Sequence, residues 1–195
     1  MCELWLIRHG QTAGNRQKRY IGCRTDEPLC REGIEELTGL SYPAPELLVV
    51  SPMLRCRESA DILFPETASM VVPELTECDF GRFENRNYLE MTDDAEYQAW
   101  IDSNGMLPFP GGESREGFQE RTLAGFRKVL CLCEQKKAQT CALVVHGGTI
   151  MNIMETCVRP HRDLYAWHAK NGHGFKVKIT KTDEDALRID AWESI

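Results

Sequence analysis

At 195 residues, 42% hydrophobic and 27% charged, the chain has the composition of a folded globular protein. That length suits one domain of about 100–200 residues. A formal net charge of −7 argues against a nucleic-acid binder held by phosphate contacts, and no apolar run nears the roughly 20 residues of a membrane span. A small anionic substrate stays compatible with that charge, because the field in a site is local.

Met1 to Ile7 has no basic stretch and meets Arg8 too early for a signal peptide, so a cytoplasmic protein is expected. The nine cysteines are odd in number and contain no Cys-x-x-Cys pair. They read as reduced thiols, mostly small buried hydrophobes, with Cys131 and Cys133 on different faces of one helix. Zinc-ligand spacing is wanting, so neither metal nor cofactor is expected.

Leu4–Ile7 is a first strand, and the polar, basic stretch 11–28 an extended loop. Ile34, Leu37 and Leu40 give Glu32–Leu40 a helical spacing, ended by Gly39 and Pro43. Leu47–Val50 is a second strand, stopped by Ser51-Pro52; Leu54–Phe64 is a helix closed by Pro65, and Met70–Val72 a short strand. Thr92–Ser103 is read as a helix capped by Thr92, with Asp93 and Asp94 in its first turn. A long helix spans about Ser114 to Lys137, followed by strand Cys141–Val145 and helix Thr149–Cys157. Phe175–Ile179 and Leu187–Trp192, separated by Thr182-Asp183-Glu184-Asp185, form an antiparallel hairpin. Strands alternating with helices predict a three-layer α/β/α sandwich with a mostly parallel sheet, which the hairpin makes mixed.

The polar residues at strand ends carry the chemistry. Arg8 and His9 follow the first strand, Arg55 the second, Glu77 and Asp79 the third, and His146 the fourth. In open α/β sheets ligands bind at those carboxyl ends. Arginine forks suit phosphate oxygens, and backbone amides around Gly10 and Gly147 can approach an anion closely. With no cysteine, serine or aspartate nucleophile evident, one neutral imidazole could attack phosphorus while a carboxylic acid protonates the leaving oxygen. Asp79 and Glu84 stand near Glu77 as alternative acids. His161, His168 and His173 are expected at the surface or on a lid, with Asn171-Gly172-His173-Gly174 able to reach the rim. Trp5, Trp100, Trp167 and Trp192 are expected to pack.

Arg8-His9-Gly10-Gln11-Thr12 with Asn15 resembles the signature of the histidine phosphatase, or phosphoglycerate-mutase-like, superfamily. So do Asp26-Glu27-Pro28-Leu29 before Gly33, Ser51-Pro52-Met53-Leu54-Arg55-Cys56, Leu75-Thr76-Glu77-Cys78-Asp79-Phe80-Gly81, Pro110-Gly111-Gly112-Glu113-Ser114 and Val145-His146-Gly147-Gly148-Thr149. The resemblance implies a mixed sheet with one antiparallel strand and a metal-independent phosphohistidine mechanism. It makes His9 the nucleophile, Arg8, Arg55 and His146 the clamp on the phosphoryl oxygens, and Glu77 the proton donor. Thr12 and Asn15 would line the phosphate cradle, while Ile21, Gly22 and Phe80 would contact the rest of a small phosphorylated substrate.

Cys30 stands where many relatives have a capping threonine, Cys56 where alanine is usual, and Phe83-Glu84-Asn85 replaces Trp-Glu-Gly. Between Phe80 and Pro110 the chain is short and, beyond Arg82 and Arg86, acidic, whereas glycolytic mutases carry a longer basic insertion. A phosphatase is therefore expected, similar in style to the α-ribazole and broad-specificity phosphatase branches. A phosphoglycerate mutase and a phosphate-binding module without turnover are the alternatives. Neither nucleic acid nor membrane is an expected partner, and a homodimer is left open.

Overall fold

Leu4, Trp5, Leu6 and Ile7 are apolar at every position, a pattern that only a strand covered on both faces can bury. A computed structural model, which describes residues 2–181 and 187–195, makes them the body of β1 (Glu3–Arg8). The remaining strands are β2 (Leu47–Val50), β3 (Ser69–Val71), β4 (Thr140–Val145), β5 (Gly174–Lys181) and β6 (Leu187–Ser194). They form a six-stranded sheet in the order β3-β2-β4-β1-β5-β6. β1 runs parallel to β4 and antiparallel to β5; β6 turns back along β5, leaving β5 the one strand against the common direction. The mixed sheet agrees with the sequence expectation. The turn assigned to 182–185 lies outside the described residues.

Alternation along each strand divides the core into two layers. Leu4 and Leu6 of β1 and Leu143 and Val145 of β4 face Phe126, Val129, Ile150 and Ile153. These belong to α5 (Arg115–Lys136) and α6 (Gly147–Cys157). On the other face, Trp5 and Ile7 with Ala142 and Val144 meet Leu37, Cys56, Ala60 and Leu63. Those residues belong to α2 (Arg31–Thr38) and α3 (Leu54–Leu63), so the sheet sits between two helical layers. Cys133 is buried and Cys131 exposed, as their spacing predicts, and all nine cysteines are free thiols. Among the described residues no helix is long and apolar enough to cross a membrane.

Three local expectations need correction. The loop after β1 contains a single helical turn, α1 (Ala13–Arg16), nucleated by Thr12 and Asn15. The helix read from Thr92 begins later, as α4 (Ala95–Asp102), because Asp94 accepts from the amides of Glu96 and Tyr97 and is the cap. The Thr92 hydroxyl instead donates back to the carbonyls of Tyr88 and Leu89. α6 starts at Gly147, two residues before Thr149, with His146 in the cap position.

Cys30 caps α2 with sulfur: Sγ accepts from the Gly33 amide at 3.4 Å. Oxygen is a much better acceptor, and a good N-cap is worth about 0.5–2 kcal/mol. Cys30→Thr is therefore expected to raise the urea midpoint by the equivalent of roughly 1 kcal/mol. A lower midpoint would show that the thiol's packing outweighs its weak cap.

Candidate active site

Parallel pairing brings the two histidines together. Arg8 and Val145 are register partners at the carboxyl ends of β1 and β4, so the next residue of each strand falls at the same edge of the sheet. The His9 amide donates to the Val145 carbonyl at 2.9 Å. The two imidazoles meet edge to face, with centroids 5.2 Å apart, and both are buried. His9 Nδ1 lies 2.7 Å from the Gly10 carbonyl, which can only accept, so Nδ1 carries the proton and Nε2 keeps its lone pair. Burial, reinforced by Arg55 and Arg8, holds the His9 pKa well below the ordinary imidazole value. Burial does the same for His146, whose Nε2 lies 2.7 Å from the Ser51 hydroxyl.

The guanidiniums approach this pair from two elements. Arg55, on α3, is fully buried; Nη1 donates to the Thr25 carbonyl at 2.9 Å and Nη2 to that of Gly22 at 3.1 Å. Its Nε is buried without a partner, as is the Nε of Arg8. Arg8 Nη1 donates to the Ala169 carbonyl at 2.9 Å, with His168 Nε2 3.4 Å away. Two buried cationic donors without partners suit a bound anion, because an unpaired buried donor is costly. Burial draws the Arg8 pKa down against the pull of the Glu77 carboxylate, yet a guanidinium remains charged.

Glu77 follows a short 3₁₀ turn at Pro73–Leu75 and is buried. Its Oε1 accepts from the Cys78 amide at 3.0 Å and Oε2 from the Gly148 amide at 3.2 Å, in the first turn of α6. A side chain at position 148 would enter this contact, its Cβ 2.6 Å from Oε1, so glycine is required there. Burial pushes the Glu77 carboxyl up, opposed by those amides and by Arg55 and Arg8. The alternative acids are otherwise engaged. Asp79 pairs with Arg24 at 2.7 Å, and Glu84 Oε1 accepts from the Gly22 amide at 2.9 Å.

Other sequence candidates occupy different roles. Thr12 and Asn15 form a reciprocal capping box at α1, and the Gly10 amide donates to the Ser59 hydroxyl at 2.8 Å rather than standing free for an anion. Ile21 is buried against the backbone of Gly14, and Gly22 ties the loop to Arg55 and Glu84. Gly147 lies against Arg8, where a Cβ would come 3.4 Å from Nε. Ser59 joins the site although nothing in the sequence reading marks it, and Ser51, read only as part of a motif, joins it through His146. Asn171 donates to the His9 carbonyl at 2.9 Å, placing 171–174 at the rim, whereas His173 turns to the Ile195 carbonyl.

Beside Glu77 and Gly148 opens a cavity of about 350 Å³, walled by Tyr20, Phe80, Trp100, Phe109, Phe118 and Tyr165. Trp100, expected only to pack, stacks on Phe109 at 5.0 Å and forms part of this wall. Its place there is hidden from the sequence because α4 presents it across a long sequence gap.

Residues 4–194 match the model of the histidine phosphatase superfamily (branch 1), and the chain belongs to that family. It is 30% identical over 184 residues to the adenosylcobalamin/alpha-ribazole phosphatase of Escherichia coli K12, covering 88% of this chain and 86% of that protein. The fold matches the alpha-ribazole phosphatase of Shigella flexneri with a TM-score of 0.75 at 23% identity, over 97% of this chain and 95% of that one. A phosphoglycerate mutase from Thermus thermophilus aligns with a TM-score of 0.71 at 29% identity, over 97% of both chains. The chain is thus a phosphatase by family.

The two buried histidines set a pH dependence of stability. Unfolded, each titrates near 6.5; folded, each titrates well below that. The unfolded chain therefore binds protons that the folded one refuses, and stability present above about pH 6.5 is lost as pH falls, at up to about 1.4 kcal/mol per pH unit per histidine. Glu77, whose pKa burial raises, acts in the opposite sense: its contribution is present below about pH 4.5 and is lost as pH rises through its folded value. The melting temperature is expected to fall from pH 7 to pH 5, and to fall less in His146→Asn. Identical slopes in thermal melts of the two proteins would remove His146 from this account.

Proposed function

We propose that the chain hydrolyses a small phosphomonoester through a covalent phosphohistidine on His9. The observation that carries this reading is the His9 Nδ1 contact to the Gly10 carbonyl, which leaves Nε2 as an unprotonated nucleophile beside two unpaired guanidinium nitrogens. The phosphoryl group lies between Nε2, Arg8, Arg55 and His146, where preorganised donors meet the charge that develops on its oxygens. Nε2 attacks phosphorus, the phosphorus–oxygen ester bond breaks, and the departing alkoxide takes the Glu77 proton. Water then attacks the phosphohistidine and gives its proton to the Glu77 carboxylate. The phosphorus–nitrogen bond breaks, releasing phosphate and restoring both residues. Burial, which raises the Glu77 pKa, supports the acid role in the first step.

Hydrolysis is favoured over mutase chemistry by the groups around Glu77. The cavity beside it carries two carboxylates, Glu155 and Asp163, against the single guanidinium of Arg115. Such a lining disfavours a substrate with a second phosphate or a carboxylate. Arg82 and Arg86 do not alter this balance, being paired with Glu96 and Asp94 of their own segment. An α-ribazole type of phosphomonoester is the substrate we assign, on the likeness to the Escherichia coli enzyme. Free thiols throughout the chain support a reducing, cytoplasmic setting.

An acid-labile, base-stable phosphoenzyme is expected when the wild-type protein is quenched during turnover, and none in His9→Ala. Phosphoenzyme persisting in that variant would remove His9 as the nucleophile. Glu77→Gln is expected to lose about 10²–10⁴-fold in kcat/KM on alkyl phosphates but far less on 4-nitrophenyl phosphate, whose leaving group needs no proton. Equal losses on the two esters would point to another acid.

A further inference from the structure

At the opposite end of the sheet from His9, three of the free thiols meet. Alternation along the first residues puts Cys2 on the face of Leu4 and Leu6, and Leu4 is the register partner of Cys141 on β4. Cys133, in the last turn of α5, is buried in the same core cluster, against which Cys2 packs. The Cys133 thiol is the middle one of the three, hydrogen-bonded to those of Cys141 and Cys2. The length of β1, roughly 20 Å, separates the group from the nucleophile, and phosphoryl transfer makes no use of it.

The three thiols differ in access and in freedom to move. Cys141 is fully buried, and β4 is paired on both sides, with β1 and β2, which pins its backbone. Cys2 is half-buried ahead of β1 and lines, with Cys133, a cavity of about 260 Å³. The exposed residues Lys137 and Gln139 line it as well, so it opens to water. A water molecule occupies about 30 Å³, and hydrogen peroxide roughly twice that, so peroxide enters easily. Hydrogen bonds from Cys141 and from Cys2 draw the Cys133 pKa down against burial, whereas burial pushes that of Cys2 up. The thiolate is the reactive form, which makes Cys133 the attacking sulfur.

We propose that Cys133 and Cys2 form a peroxide-oxidised site, closing to a reversible disulfide that joins the start of β1 to the end of α5. The Cys133 thiolate attacks one peroxide oxygen; the S–O bond forms, the O–O bond breaks, and the departing hydroxide takes up a proton to become water. The Cys2 sulfur then attacks the sulfenic sulfur. The S–S bond forms, the S–O bond breaks, and the hydroxyl leaves with the Cys2 proton as a second water. Two thiols lose two electrons, and one peroxide is reduced to two waters. Cys2 completes the bond rather than Cys141, because β4 cannot shift without disturbing a ladder on each side. The inference is independent of the phosphatase reading.

The test treats the reduced whole chain with hydrogen peroxide and maps its disulfides by mass spectrometry. Cys131→Ser is used as the background, because Cys131 is exposed and close enough in sequence to Cys133 to confuse the assignment. A Cys2–Cys133 bond, two hydrogens lighter than the thiols and reopened by dithiothreitol, is expected. The bond closes a loop of most of the chain before β4, so the melting temperature is expected to rise by roughly 5–10 °C on oxidation. Adding Cys2→Ser, a mild change at a half-buried position, is expected to abolish both the bond and the rise. In that protein Cys133 is expected to stop at the sulfenic acid, which dimedone traps. A Cys133–Cys141 bond, oxidation confined to thiols outside this group, or no trapped sulfenic acid at Cys133 in the Cys2→Ser protein would each overturn the proposal. A rise in melting temperature that survives Cys2→Ser would overturn it as well.

Discussion

Everything at the site depends on positive charge held out of water. Arg55 is completely buried and Arg8 is half-buried with its Nε out of water, and both act on two neutral imidazoles. Two such guanidiniums are tolerable only because their terminal nitrogens are spent on backbone carbonyls: Gly22 and Thr25 for Arg55, Ala169 for Arg8. The loops that supply those carbonyls are therefore structural counterparts of the charge. Burial, reinforced by that field, keeps His9 and His146 unprotonated, and the same buried charge creates the demand for an anion.

Glu77 sits in that field under opposing pressures. Burial favours its neutral form, whereas two amides and two guanidiniums favour the anion. A group balanced in this way can give up a proton and take it back. Between the two departures Phe83 and Asn85 stands Glu84, which holds the amide of Gly22 while the Gly22 carbonyl holds Arg55. Glu84 is thus connected to the arginine through the single residue Gly22.

Much of this is legible in the sequence, for identifiable reasons. β1 and β4 are continuous apolar runs followed by His-Gly, so both the strands and the polar residues at their ends can be read directly. The antiparallel pairing of β5 and β6 follows from two strand-like runs separated by a short polar segment. Less legible are features set by contacts between distant segments: Ser59 engaging Gly10, and Trp100 crossing to the cavity beside Glu77. The helix begins at 95 rather than near 92 because Thr92 and Asp94 are both good caps, and only tertiary context selects between them. Thr12 and Asn15 stand out in the motif, yet their hydrogen bonds to each other are local and build a turn.

The sheet order also has a temporal meaning for a chain made from its amino terminus. β1 emerges first, but its neighbours are β4 at Thr140–Val145 and β5 at Gly174–Lys181. Until those segments leave the ribosome, Trp5 and Ile7 have no strand beside them and Arg8 has no Ala169 carbonyl. Contacts so distant in sequence form slowly and leave apolar strand edges open in the interim. His9 is thus synthesised among the earliest residues and gains its full surroundings, from β4 to Asn171, only among the last.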